Sequence, residues 1–316
     1  MSHAQPVLAH PHVDKWFLYS GDANGGTKFK VYPLDGSKPV RRFTRPWGID
    51  AMAIDPWSDV YTADGLISGG QIIVYSPGGT SVLLSFLSGP TVALAFDASG
   101  NLYESDTAGV EEYAARSTKL LRIFRRNTYG ADALAFDSAG NLFVARVGGS
   151  IEVFAPGASR PFRAISDGVK VPFALLVSKS DNLFVANCPS CYGSGHFAGS
   201  VTEYAPGSGT PLRTLTDGIN TPIAMALGRH GLLFVANNPF LKQGSVTVYS
   251  SGMTPVRTIT NGINGPDSLA IGPGEDLYVA NRYAGSITVF SPEGSCLLRT
   301  ITQGVQGPTA IAIGKN

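Results

Sequence analysis

The sequence predicts an all-β ring, a seven-bladed β-propeller of four-stranded blades closed by pairing of its N- and C-terminal strands in one blade. Three observations predict it. One strand phrase recurs seven times, two-residue alternation flanks each copy, and the chain starts on the second strand of the unit and stops on the first.

The phrase is Leu-Phe-Val-Ala-Asn at 183–187 and 233–237 and Leu-Tyr-Val-Ala-Asn at 277–281. Weaker copies begin at Leu18, Val60, Leu102 and Leu142, which spaces the seven first residues 42, 42, 40, 41, 50 and 44 apart. Before each copy stands an alternating strand such as Asp132–Phe136 or Asp267–Ile271. After it come a β-branched strand (244–249, 285–290), a Pro/Gly turn such as 291–294, and a fourth strand such as Arg213–Thr216 or Arg299–Thr302. Alone, such a unit leaves both faces wet; stacking units in a ring buries them against neighbours. The first strand carries small residues at one position, Ala51, Ala93, Ala133, Ala174, Ala224, Ser268 and Ala310, as expected where blades converge on an axis. The chain enters at 16–20 and leaves at 308–313, so the last strand completes the first blade and removes an exposed edge.

With 38 Gly, 21 Pro and only 15% charged residues, the composition is that of many short strands joined by tight turns. Net charge is +1, and the densest basic spot is Arg122, Arg125 and Arg126, so nothing points to nucleic acid. No apolar stretch reaches the length of a membrane span. The expected organisation is a tail (1–14) and a single propeller domain (15–316) acting as a monomer. The tail lacks an apolar signal core; the low charge and the Ser/Thr/Gly-rich surface lean toward an extracytoplasmic or secreted setting.

The unit at 265–290, Gly-Pro-Asp-Ser-Leu-Ala-Ile … Asp-Leu-Tyr-Val-Ala-Asn … Gly-Ser-Ile-Thr-Val-Phe, resembles NHL-type repeats and the related lactonase-like propellers. The resemblance covers the chain from about Trp16 to Ile313. It implies the propeller fold and a choice among protein-interaction scaffolds, gluconolactonase-type metal-dependent lactonases and virginiamycin B lyase-type enzymes. The lyase resemblance would place catalytic His and Glu in the ring, and no His aligns with a Glu at neighbouring repeat positions here. GxSxG and P-loop motifs are also absent.

Within a repeat protein, recurring residues hold the blade and exceptions are site candidates. The Asn/Asp closing the second strand (Asp22, Asp64, Asp106, Asn187, Asn237, Asn281) reads as a turn-binding residue. The fourth-strand Arg set (Arg41, Arg163, Arg213, Arg257, Arg299) reads as an exposed outer feature. Arg146 replaces the Asn/Asp, and Glu104 replaces Val/Thr on the preceding blade. The two are expected to pair across blades, with a catalytic or anion-binding role as the alternative. The position opening the first strand reads Asp50, Val92, Asp132, Phe173, Ile223, Asp267, Thr309. Its three carboxylates, on blades two, four and seven, either cap their own loops or share a hard cation such as Ca²⁺ or Mg²⁺.

The fifth blade inserts a loop with Cys188 and Cys191, best read as a small disulfide in an oxidising compartment, with reduced thiols or a metal as alternatives. Cys296 reads as a buried apolar residue. A longer sixth-blade loop emerges on the same face. Tyr192, His196, Phe197, Phe240 and Leu241 in these loops are ligand-binding candidates, since long loops on one face of a ring are where binding concentrates. The function expected is a non-catalytic protein- or small-molecule-binding propeller using blades five to seven and the channel mouth. The alternative is a metal-dependent hydrolase or lyase at that mouth.

Overall fold

The computed structural model describes residues 15–23, 27–45, 47–64, 70–106, 109–124, 130–191, 198–239 and 243–316. They form seven four-stranded antiparallel sheets arranged as a β-propeller. From channel to rim, blade 1 is Pro308–Lys315, Trp16–Asp22, Thr27–Pro33 and Arg41–Thr44. Blades 2 to 7 start on the inner strands Ala51–Ile54, Ala93–Phe96, Ala131–Phe136, Pro172–Val177, Pro222–Leu227 and Pro266–Ile271. They end on the outer strands Val82–Ser88, Leu120–Phe124, Arg163–Ile165, Arg213–Leu215, Pro255–Ile259 and Leu297–Ile301. Among the described residues no helix is long and apolar enough to cross a membrane.

The ring closes as the sequence predicts. Trp16–Asp22 pairs with Pro308–Lys315 from Trp16 opposite Lys315 to Asp22 opposite Pro308. The Asn316 side chain accepts from the Lys15 amide at 3.2 Å, and the Asn316 amide donates to the Lys15 carbonyl at 3.1 Å.

Among the described residues the core divides into seven buried clusters, one at each junction between blades. Phe17, Tyr19 and Phe29 of blade 1 pack with Val60 and Tyr75 of blade 2. Tyr61 and Ala63 of blade 2 pack with Leu102 and Tyr113 of blade 3, and so on around to Tyr278 and Ile287 of blade 7 against Leu18 and Tyr32 of blade 1. Aromatic and β-branched side chains on both faces of each blade explain why neither face can stay wet.

In blades 5 to 7 the Asn closing the second strand ties the blade to its own entry loop. Asn187, Asn237 and Asn281 accept from the backbone amides of Lys170, Asn220 and Asn264 at 2.8–3.0 Å. Their side-chain amides donate to Thr202, Thr247 and Thr288 on the third strand. Asp22 accepts from the Gln306 amide at 2.5 Å and pairs with buried Lys30, which takes the place of that Thr.

The outer-strand arginines are not mere surface features as expected from sequence. Four of the five reach forward to a backbone carbonyl of the next blade, Arg41 to Gly78, Arg163 to Gly207, Arg213 to Gly252 at 3.0 Å, and Arg299 across the closure to Leu34, whereas Arg257 is exposed as expected. A guanidinium fits this task because it presents several donors on a long, partly apolar stem.

The candidate functional site at the channel mouth

The residue that opens each inner strand lies where the chain turns from a loop into the innermost strand. In blades 4 to 7 and blade 1 that residue is a β-bulge. The pairing skips from Ala131 to Ala133, Pro172 to Ala174, Pro222 to Ala224, Pro266 to Ser268 and Pro308 to Ala310. The skipped residues are Asp132, Phe173, Ile223, Asp267 and Thr309. A bulge leaves one residue out of the ladder and re-aims its side chain. Together with Asp50 and Val92, which precede the inner strands of blades 2 and 3, all seven line one cavity of about 1300 Å³ at the channel. The seven small residues one position later line it too.

Around this mouth the polar groups gather between blades 6 and 7. Asn238 donates to one oxygen of Asp267 at 2.5 Å, and Arg282 donates to the other at 3.4 Å. Burial pushes the Asp267 carboxyl above its ordinary pKa; Arg282 and the hydrogen bonds oppose this without cancelling it, and Asp50 adds to the rise. The hydroxyl of Thr221 and the side-chain oxygen of Asn238 are buried and, among the described residues, have no hydrogen-bond partner. Both residues line the cavity, and the Asn238 amide donates to the Thr221 carbonyl at 3.0 Å, which sets them side by side. Tyr283, 45% exposed, stands on the same rim.

Cys188 and Cys191 are joined in a disulfide that closes the start of the blade-5 loop, with Cys188 buried and Cys191 and Ser190 on the cavity wall. Cys296 is exposed, not buried as expected from its sequence setting. Tyr192, His196, Phe197, Phe240 and Leu241 lie outside the described residues.

The expected pair between Glu104 and Arg146 does not form. Arg146 donates twice to Glu152 on its own blade, at 2.9 and 2.7 Å. Glu104 accepts from the Thr91 hydroxyl at 2.8 Å, is fully buried, and has a second oxygen with no hydrogen-bond partner. Burial raises its pKa to about 8, so it is largely protonated at neutral pH. Neither residue lines the cavity; Glu104 reaches the wall only through Thr91. The physical reason lies in the register. Glu152 sits two residues beyond Ser150, the cross-strand partner of Arg146, at the site that in blade 7 holds Thr288, the acceptor of the Asn281 side-chain amide.

Asp50, Asp132 and Asp267 share the mouth, but among the described residues no three His, Cys, Asp or Glu side chains group closely enough to hold a metal ion. The sequence reading missed Thr221, Asn238, Arg282 and Tyr283. Asn238 and Arg282 both follow the second-strand Asn directly, a position where the other blades carry the smaller or less polar Ala23, Gly65, Thr107, Val147 and Cys188. That departure was a signal available in the repeat.

No protein-family model matches the chain, and no curated protein matches it in sequence. Solved structures do match. One from Bacteroides fragilis, named a putative 6-phosphogluconolactonase, superposes with a TM-score of 0.76 at 15% identity, covering 96% of this chain and 99% of the other. A protein from Lactobacillus plantarum gives 0.77 at 15% identity over 95% and 99%. A functionally unknown protein from Desulfotomaculum acetoxidans gives 0.74 at 14% identity over 94% and 98%. At such identities the likeness is one of architecture: the chain is a seven-bladed β-propeller of the same shape as these proteins.

Proposed function

We propose that this chain is a non-catalytic, NHL-like binding propeller whose channel mouth takes a small molecule, with the blade 6–7 corner reading its polar groups. The observation that carries this reading is the pair of buried, unpartnered oxygens on Thr221 and Asn238 in the wall of a cavity of about 1300 Å³. Buried polar atoms without partners are costly, and a ligand that supplies the hydrogen bonds recovers that cost on binding. Arg282 and Asp267 beside them offer a donor and an acceptor. Phe173, Ile223 and Val92 elsewhere on the mouth offer apolar surface. A ligand with adjacent hydrogen-bonding groups on an apolar frame fits this arrangement.

The test is a ligand-observed NMR screen of a fragment library against wild type, Ile223→Trp, Thr221→Val and Asn238→Leu. Hits at the mouth are lost when Trp fills it, and those using the polar corner weaken about tenfold in the two corner variants. Hits that bind all four proteins alike overturn the reading. A lactonase-type hydrolase at the same mouth has less support, because the mouth carboxylates do not group around one ion site among the described residues. Turnover of a lactone panel by wild type, lost in Asp267→Asn, would reinstate it.

A further inference from the structure

The outer strand of blade 2 differs from the six others. Position for position, Arg41, Arg122, Arg163, Arg213, Arg257 and Arg299 pair with Val31, Glu112, Val153, Glu203, Val248 and Val289 of the third strands. In blade 2 the corresponding residue, opposite Val74, is Leu84. Val82–Ser88 is also the longest outer strand, at seven residues, and the only one among those described with no charged residue. Its sequence is Val-Leu-Leu-Ser-Phe-Leu-Ser. Val82 is 52% exposed, Leu83 49% and Leu87 79%.

An outer strand presents unpaired backbone N–H and C=O groups along one side. Proteins normally guard such an edge with charges, Pro or short length. Six blades here carry a charge; blade 2 has none of these guards. We propose that this edge is the interface for a second copy of the same chain, the two strands pairing antiparallel about a two-fold axis at Ser85.

The choice of a second copy rests on the strand's own pattern. Antiparallel pairing centred on Ser85 sets Leu83 opposite Leu87, Leu84 opposite Phe86 and Ser85 opposite its own copy. Large apolar residues then meet large apolar residues, and the small one meets itself at the axis. A two-fold interface uses the same patch on both copies and so demands such self-complementarity. The same operation on any other outer strand sets arginines near arginines, which repel. A ladder of this length needs flanking apolar area to approach the roughly 800 Å² per partner of a stable interface. Blade 3 supplies it. Phe86 packs on Tyr113 at 5.0 Å, Tyr113 pairs with Leu120, and Leu120, Leu121 and Ile123 are all exposed on the adjoining outer strand. This second copy replaces the single-chain expectation and is independent of what the channel mouth binds.

Sedimentation of the full chain from about 1 to 200 μM tests the proposal. Wild type sediments as two chains at the upper end, whereas Leu87→Lys and Ser85→Pro sediment as one. Leu298→Lys, at another exposed apolar position on the outer strand of blade 7, stays as wild type. Since Leu87 is exposed, unchanged melting of Leu87→Lys confirms that folding is intact. Register is read by cross-linking Ser85→Cys in a Cys296→Ser background. The two new thiols face each other across the axis, within disulfide reach, so mild oxidation yields a covalent dimer, and Leu298→Cys in that background does not. Wild type that stays single at 200 μM, or a dimer that survives both Leu87→Lys and Ser85→Pro, overturns the proposal.

Discussion

Arg146 and Glu152 form the charge-reversed counterpart of the Asp22–Lys30 pair. Both occupy the same two repeat positions that hold Asn281 and Thr288 in blade 7. Three chemical solutions to one packing site thus coexist in a single chain: amide with hydroxyl, acid with base, and base with acid. Arg146 therefore occupies a position of the blade's framework.

The first prediction follows from that equivalence. The Arg146 side chain is only 9% exposed, so Glu152→Thr strands a buried guanidinium and costs on the order of 2–3 kcal/mol. The double variant Arg146→Asn/Glu152→Thr rebuilds the blade 5–7 arrangement and returns to within about 1 kcal/mol of wild type. Urea unfolding of both singles and the double gives the coupling directly. Single effects that simply add would show that the two positions are not one unit.

A second prediction concerns Glu104. Its folded pKa, about 8, lies above its ordinary value of 4.5. The unfolded chain therefore releases this proton first, and the group lowers stability progressively from about pH 4.5 to about pH 8, with no further loss above. Glu104→Gln removes the titration. Its stability relative to wild type should rise across that window and reach on the order of 3 kcal/mol at pH 7. About 1 kcal/mol is to be subtracted for an amide N–H left without a partner. Denaturant midpoints at pH 5, 7 and 8.5 measure this; a pH-independent difference would place Glu104 in a solvated or ion-paired setting.

Blade number, strand order and closure were legible because they are written as repetition. A phrase copied seven times, and small residues at the convergent strand, encode ring geometry without tertiary knowledge. The ring of Asp50, Asp132 and Asp267 was legible for the same reason, as one repeat position read seven times. What stayed hidden depends on cross-strand and cross-blade register. Arg146 reads as an orphan until Glu152 is seen six residues on, at the position of Thr288. The outer arginines read as surface until their carbonyl partners on the next blade are placed. Asn238 and Thr221 meet only when loops of blade 6 fold together, and no periodicity carries that contact.

Closure supplies the third prediction. Pro308–Lys315 pairs along the whole of Trp16–Asp22, and it contributes Ala310 and Ile311 to the two clusters that flank blade 1. Removing residues 308–316 exposes the edge of Trp16–Asp22 and opens both clusters. The truncated chain should lose cooperative melting or aggregate, as followed by circular dichroism and light scattering. A truncation that melts within a few degrees of the full chain would refute closure as a source of stability.

The last prediction separates two roles for the mouth carboxylates. A divalent ion shared by Asp50, Asp132 and Asp267 would stabilise the fold by mass action, about 2.7 kcal/mol at a hundredfold excess over its dissociation constant. Ca²⁺ or Mg²⁺ added to chelator-treated protein would then raise the melting temperature by several degrees. The geometry predicts otherwise: Asp267 is already held by Asn238 and Arg282, and burial has raised its pKa. An acid whose folded pKa is raised loses stability to ionisation as pH climbs above its ordinary value. Asp267→Asn should therefore gain on wild type as the pH rises above about 4, because the amide keeps an acceptor for Asn238 while Arg282, 47% exposed, turns to water. Melting curves with and without each ion, for wild type and Asp267→Asn at pH 4 and 7, decide the matter. An ion-dependent rise in wild type that vanishes in the variant would return Asp267 to the role of metal ligand.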